Sequence, residues 1–189
     1  MKIYLKNIAK ILVFILPLLL ISTKSNGQIS VDISSWAGFV HYYDSGNLSQ
    51  PLTLILENDI AVERVTGIGK SPRNVVNIES QDDSIKIIDG IFSGIKRAGI
   101  EFIDQTGYIA NIGFMNFSTA TMGGAMFLDN RANYEFRGNI NFSSNSAAGS
   151  GGAIYSLGTL SSNNADIKFI YNSAASSGGA LSLSGSANI

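Results

Sequence analysis

The sequence predicts an all-β chain wound as a parallel β-helix, a solenoid, with a short N-terminal capping helix. Three observations carry that expectation. The first is a repeat. Phe142-Ser-Ser-Asn145-Ser-Ala147-Ala-Gly-Ser-Gly151-Gly152-Ala153-Ile154 returns 27 residues on as Phe169-Ile-Tyr-Asn172-Ser-Ala174-Ala-Ser-Ser-Gly178-Gly179-Ala180-Leu181, and a degenerate copy, Phe114 to Gly123-Gly124-Ala125-Met126, stands 28 before. Self-similarity at a period of about 20 to 50 residues marks a solenoid or array. The second is period-two alternation, as in Tyr134-Glu-Phe136, Ile140-Asn-Phe142 and Ile167-Lys-Phe169, which puts large apolar groups on one strand face and polar ones on the other. The third is that from Leu52 onward the apolar runs are short, separated by Gly, Asn and Asp, with no room for a long helix between them.

In chain order, Lys2, Lys6 and Lys10 precede the eleven-residue apolar run Ile11 to Ile21, broken by Pro17, and Ser25-Asn26-Gly27 offers small residues before Gln28. That is the layout of an export signal over residues 1–27. The run is short for a spanning helix, which needs about 20 residues; an uncleaved membrane anchor is the other reading. With Cys 0 in 189 residues, an exported domain must hold together without disulfides. Residues 28–50 read as an N-terminal cap. Trp36, Phe39, Val40 and Tyr43 share one helical face, Ser34 or Ser35 can serve as N-cap and Gly46 would end the helix. The first coil of a solenoid otherwise leaves its apolar end in water. Helically spaced aromatics are a core pattern before they are a carbohydrate platform.

Residues 51–189 read as the β-helix, incomplete at its C-terminus. Its strand signals are Leu52–Leu56, Val75–Ile78, Ile85–Ile88, Ile100–Ile103 and a run from Ile109 to Phe114, with Gly107 and Gly113 as punctuation. Each 27-residue unit holds about three short strands. Such a unit cannot bury its own apolar face, but parallel stacking about 4.8 Å apart can. Every repeated position then has a packing reason. Asn145 and Asn172 stack as a hydrogen-bonding ladder; Gly151-Gly152 and Gly178-Gly179 allow a positive-φ turn; Ala153 and Ala180 keep the next corner narrow, ahead of Ile154 and Leu181. Phe142 and Phe169 stack in the core.

The spacing Phe-x-x-Asn followed by Gly-Gly-Ala-Ile, complete at Phe142 to Ile154 and present with Leu181 for Ile at Phe169 to Leu181, resembles the repeats of chlamydial-type polymorphic outer membrane proteins and related autotransporter adhesins. In the worn copy, Phe117 stands where Asn is expected. The resemblance spans residues 114–189. It implies a right-handed parallel β-helix passenger on a bacterial surface or outer membrane, with adhesion to a host or neighbouring cell, through a surface protein or glycan, as the usual role. Pairing with other copies is a further option. These families also carry a C-terminal β-barrel, which is not present within these residues; contact with the membrane is expected only through the export signal or such a barrel. On this reading the positions between the motif rungs, Ser143, Ser144, Ile170 and Tyr171, face the partner.

Other functions find little support in the residues. A net charge of -1, with 13 basic residues scattered, leaves no footprint for nucleic acid. Parallel β-helices also house polysaccharide lyases and hydrolases, so a carbohydrate-active enzyme is one alternative and a structural spacer another. Such enzymes need carboxylates converging on a groove. Beyond residue 103 the acids are Asp104, Asp129, Glu135 and Asp166, and Asp129 and Asp166 occupy different places in their units. Asp82-Asp83 reads as an exposed turn. His41 is the sole histidine and would have to serve any triad. Gly67-Ile-Gly69-Lys70-Ser71 lacks the P-loop spacing, since Arg64 stands where the first Gly belongs. The sequence calls for no cofactor, no metal and no catalysis.

Overall fold

The computed structural model describes residues 22–24, 28–44, 50–62, 75–92, 94–96 and 98–189. Most of the expected export signal, Gly46 and Gly67 to Ser71 lie outside the described residues.

Among the described residues the chain is a parallel β-helix of about five turns with one short helix. Strand β1 (Ser22–Lys24) pairs antiparallel with β2 (Gln28–Ile33). Helix α1 (Trp36–Asp44) follows, then β3 (Leu52–Leu56), β4 (Ile60–Ala61), β5 (Val76–Ser80) and β6 (Lys86–Asp89). A small antiparallel hairpin, β7 (Ile91–Phe92) with β8 (Ile95–Lys96), leads to β9 (Ile100–Phe102). Three similar turns come next. The first holds β10 (Thr106–Ala110), β11 (Ile112–Met115), β12 (Ser118–Thr119) and β13 (Met126–Leu128); the second β14 (Asn133–Ser143), β15 (Ser146–Ala147) and β16 (Ile154–Ser156); the third β17 (Thr159–Ile170), β18 (Ser173–Ala174), β19 (Leu181–Leu183) and β20 (Ala187–Asn188).

Among the described residues all pairings other than β1/β2 and β7/β8 are parallel, and they build four walls. Wall 1 runs β2, β3, β5, β10, the front of β14, the front of β17 and β20. Wall 2 runs β4, β6, β11 and the backs of β14 and β17. Wall 3 is β12-β15-β18 and wall 4 is β9-β13-β16-β19. A complete turn therefore visits four walls where the sequence suggested about three strands, because the two-residue strands of wall 3 are too short to show alternation. Apolar residues stack inward at each step: Val31 on Leu54 on Ile78 on Ile109 on Phe136 in wall 1, and Ile88 on Phe114 on Phe142 on Phe169 in wall 2. All of these but Phe169 are buried, and Phe169 packs against the same cluster.

The corners carry left-handed residues. Asn111 (φ 54°), Gly138 (φ 62°) and Asn164 (φ 52°) turn wall 1 into wall 2; Asn116, Ser144 and Tyr171 turn wall 2 into wall 3; Gly123, Gly151 and Gly178 turn wall 3 into wall 4. Asn and Gly are the residues that tolerate this region most readily. The run from Ile109 to Phe114 is thus two strands hinged at Asn111, with Gly113 inside the second. Gly107 likewise lies inside β10, where the carbonyl oxygen of Val76 would sit 2.0 Å from any Cβ. Both glycines are close-approach positions rather than the turns their local sequence suggests.

Helix α1 is capped by Ser35, whose Oγ accepts the Gly38 N–H at 3.2 Å. Trp36, Phe39 and Tyr43 are buried and Val40 partly so. The helix is not the first element of the coil. Gln28–Ile33, read from the sequence as part of the cap, forms β2 ahead of it and pairs in parallel with β3. The helix aromatics then form a continuous stack, Trp36 on Phe39 (5.2 Å between centroids), Phe39 on Tyr43 (5.9 Å), Tyr43 edge-on to Phe102 (6.5 Å) and Phe102 on Tyr134 (4.2 Å). The Tyr43 hydroxyl donates to Gln105 Oε1 at 2.7 Å and lies 3.1 Å from the Glu101 carbonyl. Glu101 belongs to β9, the outer strand of wall 4 among the described residues, so Tyr43 satisfies a carbonyl on that edge.

Candidate functional site: the stacked motif and its outward face

The repeated residues meet across the turns. Asn145 is fully buried, and each polar group of its side chain is engaged. Its Nδ2 donates to Asn172 Oδ1 (2.9 Å) and to the Phe114 carbonyl (3.0 Å), while its Oδ1 accepts the Phe117 N–H (3.0 Å). The Asn145 backbone N–H also donates to Asn172 Oδ1 (3.0 Å), and Asn172 Nδ2 donates to the Phe142 carbonyl (2.9 Å). A buried amide without these partners would cost about 1 to 3 kcal/mol. At the next rung toward the N-terminus the ladder of side chains stops. Phe117 keeps only the backbone bond, and its buried ring packs toward Phe114 and over Gly90, where any Cβ would lie 2.8 Å from it. Phe142 sits between Phe114 (5.2 Å) and Phe169 (5.3 Å) in a nearly parallel stack.

The two glycines of each pair do different work. Gly151 and Gly178 take the positive φ. Gly152 makes room for the following turn, because a Cβ there would lie 2.0 Å from the Gly179 carbonyl oxygen and 2.3 Å from that of Ser173. Gly124 stands in the same relation to Gly152, at 2.0 Å. Backbone bonds repeat with the period: Gly124 N–H to Gly151 O and Gly152 N–H to Gly178 O are both 3.2 Å, and Ala125 N–H to Ala153 O and Ala153 N–H to Ala180 O both 2.8 Å. Ala153 and Ile154 are buried, while Ala180 and Leu181 are half-buried.

Of the four positions expected to face a partner, Ile170 is 40% exposed and Tyr171 89%, while Ser143 and Ser144 are half-buried. Ser143 lies in register between Met115 and Ile170, and these larger neighbours shade it.

Sequence reasoning missed two further polar ladders. At the first corner Asn111 Oδ1 accepts the Asn139 N–H (2.8 Å), which leaves no space for a side chain on Gly138. On the outer face of wall 1, Thr53 Oγ1 accepts from Gln28 and from Asn77 Nδ2 (3.1 Å), and Asn77 Oδ1 accepts the Tyr108 N–H (3.2 Å). Beside them Tyr108 donates to Glu79 (2.7 Å) under the Arg137 guanidinium, 4.1 Å from the ring centroid. Burial and the Glu79 bond push the Tyr108 phenol up to about 12, so it stays a neutral donor at ordinary pH. Only a glance at register would have exposed these pairs, since their members are 24 to 31 residues apart.

The acids do not converge. Asp129 accepts the backbone N–H groups of Asp104 (3.0 Å) and Arg131 (3.1 Å), Asp166 pairs with Lys168 (3.0 Å), and Glu135 pairs with Arg137. Asp82 lies in an exposed turn, where the Ser84 hydroxyl and then Lys86 hold its carboxyl down at about 2. Among the described residues no three His, Cys, Asp or Glu side chains are grouped to hold a metal ion, and no helix is long and apolar enough to cross a membrane. His41 is exposed, edge-on to Tyr42.

Fold and motif together define a parallel β-helix built on a stacked repeat. Residues 139–157 and 166–184 match the Chlamydia polymorphic membrane protein repeat, so these two stretches are similar to that family's repeat. The matched unit opens where Asn139 pairs with Asp166 and runs through walls 2, 3 and 4, leaving wall 1 outside it. Neither a curated protein nor a solved structure matches the chain.

Proposed function

We propose that the chain belongs to an exported, surface-displayed β-helix of the autotransporter-passenger type, which adheres to another cell through its outward faces and catalyses nothing. The observation that carries this reading is the pair of polymorphic membrane protein repeats, which sit on three walls of one continuous solenoid. A rigid stacked scaffold suits display, because each added turn lengthens the surface without a new core. In this reading the motif residues space the turns, and Ser143, Ser144, Ile170 and Tyr171 touch a surface protein or glycan. The carboxylates of Asp129, Glu135 and Asp166, each engaged with a neighbour in its own turn or an adjacent one, favour this over a polysaccharide-cleaving enzyme.

Beads coated with the chain should bind cultured epithelial cells, and soluble chain should compete them off. Antibody to the chain should label intact producing bacteria. Beads that bind no better than uncoated ones would point to a spacer, and release of sugars from pectin or alginate would return the enzyme to first place.

A further inference from the structure

One glycine of the motif has no work to do within its own turn. Gly124 and Gly152 stay bare because the following turn comes close: a Cβ on Gly124 would lie 2.0 Å from the Gly152 carbonyl oxygen, and one on Gly152 2.0 Å from that of Gly179. Gly179 is third in that row. A Cβ there meets nothing nearer than the Asn172 carbonyl oxygen, 3.9 Å away, and its φ lies outside the left-handed region that Gly178 occupies. Neither the backbone nor any described neighbour requires glycine at this position, and a glycine that is not required costs folding entropy. The demand that fits is the one met twice before, a backbone carbonyl brought up by the next turn. Openness alone decides nothing here, since the last turn of any coil is open; the residue type does.

Asn172 suits the same occupant. Asn145 sends its backbone N–H and its Nδ2 forward to Asn172 Oδ1, at 3.0 and 2.9 Å. Asn172 in turn donates Nδ2 back to the Phe142 carbonyl at 2.9 Å, so its backbone N–H and second Nδ2 hydrogen stand as Asn145's do, ready for an asparagine one period on. We propose that the outer face of the last turn is a stacking site for one further coil of the same repeat, wound on in parallel by the same polypeptide, with a carbonyl against Gly179 and an asparagine against Asn172. This continues an interface that the chain already builds twice, Gly124 on Gly152 and Gly152 on Gly179. A second copy of the chain does not fit. Two last turns brought face to face wind in opposite senses, so their walls cannot all pair in parallel, and the far end of the molecule presents β1, antiparallel on β2, in place of the motif. The site belongs to the scaffold and is independent of adhesion.

The test compares the full chain with the same chain lengthened past Ile189 by a second copy of its residues 163–189, which keeps the 27-residue spacing of Asn145 and Asn172. Both are made as wild type and as Gly179→Leu. Without the added coil, Gly179→Leu should melt within about 2 °C of wild type, because no atom stands in its way. The added coil should raise the melting temperature of the wild-type chain by at least about 4 °C and slow hydrogen exchange at the Asn172 amide at least about tenfold. In the Gly179→Leu chain both gains should vanish. The same residues supplied as a free peptide should give neither, since ordering a separate chain is too costly for one coil to offset. No gain in wild type, or an equal gain in Gly179→Leu, would overturn the proposal. A free peptide as effective as the added coil would overturn its assignment to the same polypeptide. A clearly lower melting point for the unlengthened Gly179→Leu chain would show that the glycine serves its own turn, and would overturn it too.

Discussion

From Val31 to Leu54 and on to Ile78 the turns advance by 23 and 24 residues, and they close on the aromatics of helix α1; from Phe114 to Phe142 and on to Phe169 they advance by 28 and 27 and close on copies of themselves. In the first region the interior is filled by unlike residues, Trp36, Phe39 and Tyr43 against aliphatic strands. In the second, like stacks on like: Phe on Phe, Asn on Asn, the Gly-Gly of one turn on that of the next. The difference teaches why a repeat is recognisable at one end only. A stacked identical rung needs the same residue in every turn, whereas a jigsaw closure needs only complementary volume.

Five substitutions would break or sharpen that contrast. The largest effect is expected for Phe142→Ala, which removes the middle ring of a three-ring stack and should cost about 3 to 5 kcal/mol in denaturant unfolding. Phe39→Ala should cost a similar amount. If the regions differ as described, hydrogen exchange should accelerate chiefly in walls 2 to 4 for Phe142→Ala and around α1 and β9 for Phe39→Ala. Next, Asn145→Leu leaves the Phe117 N–H, the Phe114 carbonyl and Asn172 Oδ1 short of a partner, for a loss of about 2 to 4 kcal/mol. An unchanged melting temperature would remove the ladder from the account of stability. Gly152→Ala should cost about 1 to 3 kcal/mol by pushing against the Gly179 and Ser173 carbonyls. Gly179→Ala, where the nearest atom to a Cβ is 3.9 Å away, should stay within about 0.5 kcal/mol.

One expected change is a gain, and it lies where the two regions meet. The Tyr134 hydroxyl is buried without a hydrogen-bond partner, and burial first, then nearby Tyr43, raise its pKa well above the ordinary value. Tyr134→Phe should therefore stabilise by about 1 kcal/mol at neutral pH. The sign of its pH dependence follows from linkage. A phenol whose folded pKa is raised contributes stability that is present below the unfolded value of about 10 and is lost as pH climbs above it. The variant should hold its melting temperature further into alkali than wild type, and parallel curves above about pH 10 would rule out Tyr134 as the group responsible.

What was legible in the residues is what repeats or alternates locally. The solenoid, its period, the family resemblance and the helix face of Trp36, Phe39 and Tyr43 were all readable, because each is a pattern within one turn or an identity between two. The worn copy was readable too, and Phe117 in place of Asn does end the side-chain ladder. Less was legible of the candidate contact face. Ser143 and Ser144 resemble Ile170 and Tyr171 in local position, yet Ser143 is flanked by Met115 and Ile170 on either side, whereas among the described residues Ile170 is flanked on one side alone.

The sequence by itself determined the class of fold, the period and the residue types at the corners, since backbone handedness at a turn and alternation along a strand are local demands. Tertiary structure alone decided which glycines turn and which make room, that β2 precedes the helix and pairs with β3, and that Tyr43 reaches the edge of wall 4. Those outcomes hinge on register between residues roughly one turn or more apart. Register shows only once the turns are stacked, when a carbonyl 2.0 Å from a missing Cβ acquires its physical meaning.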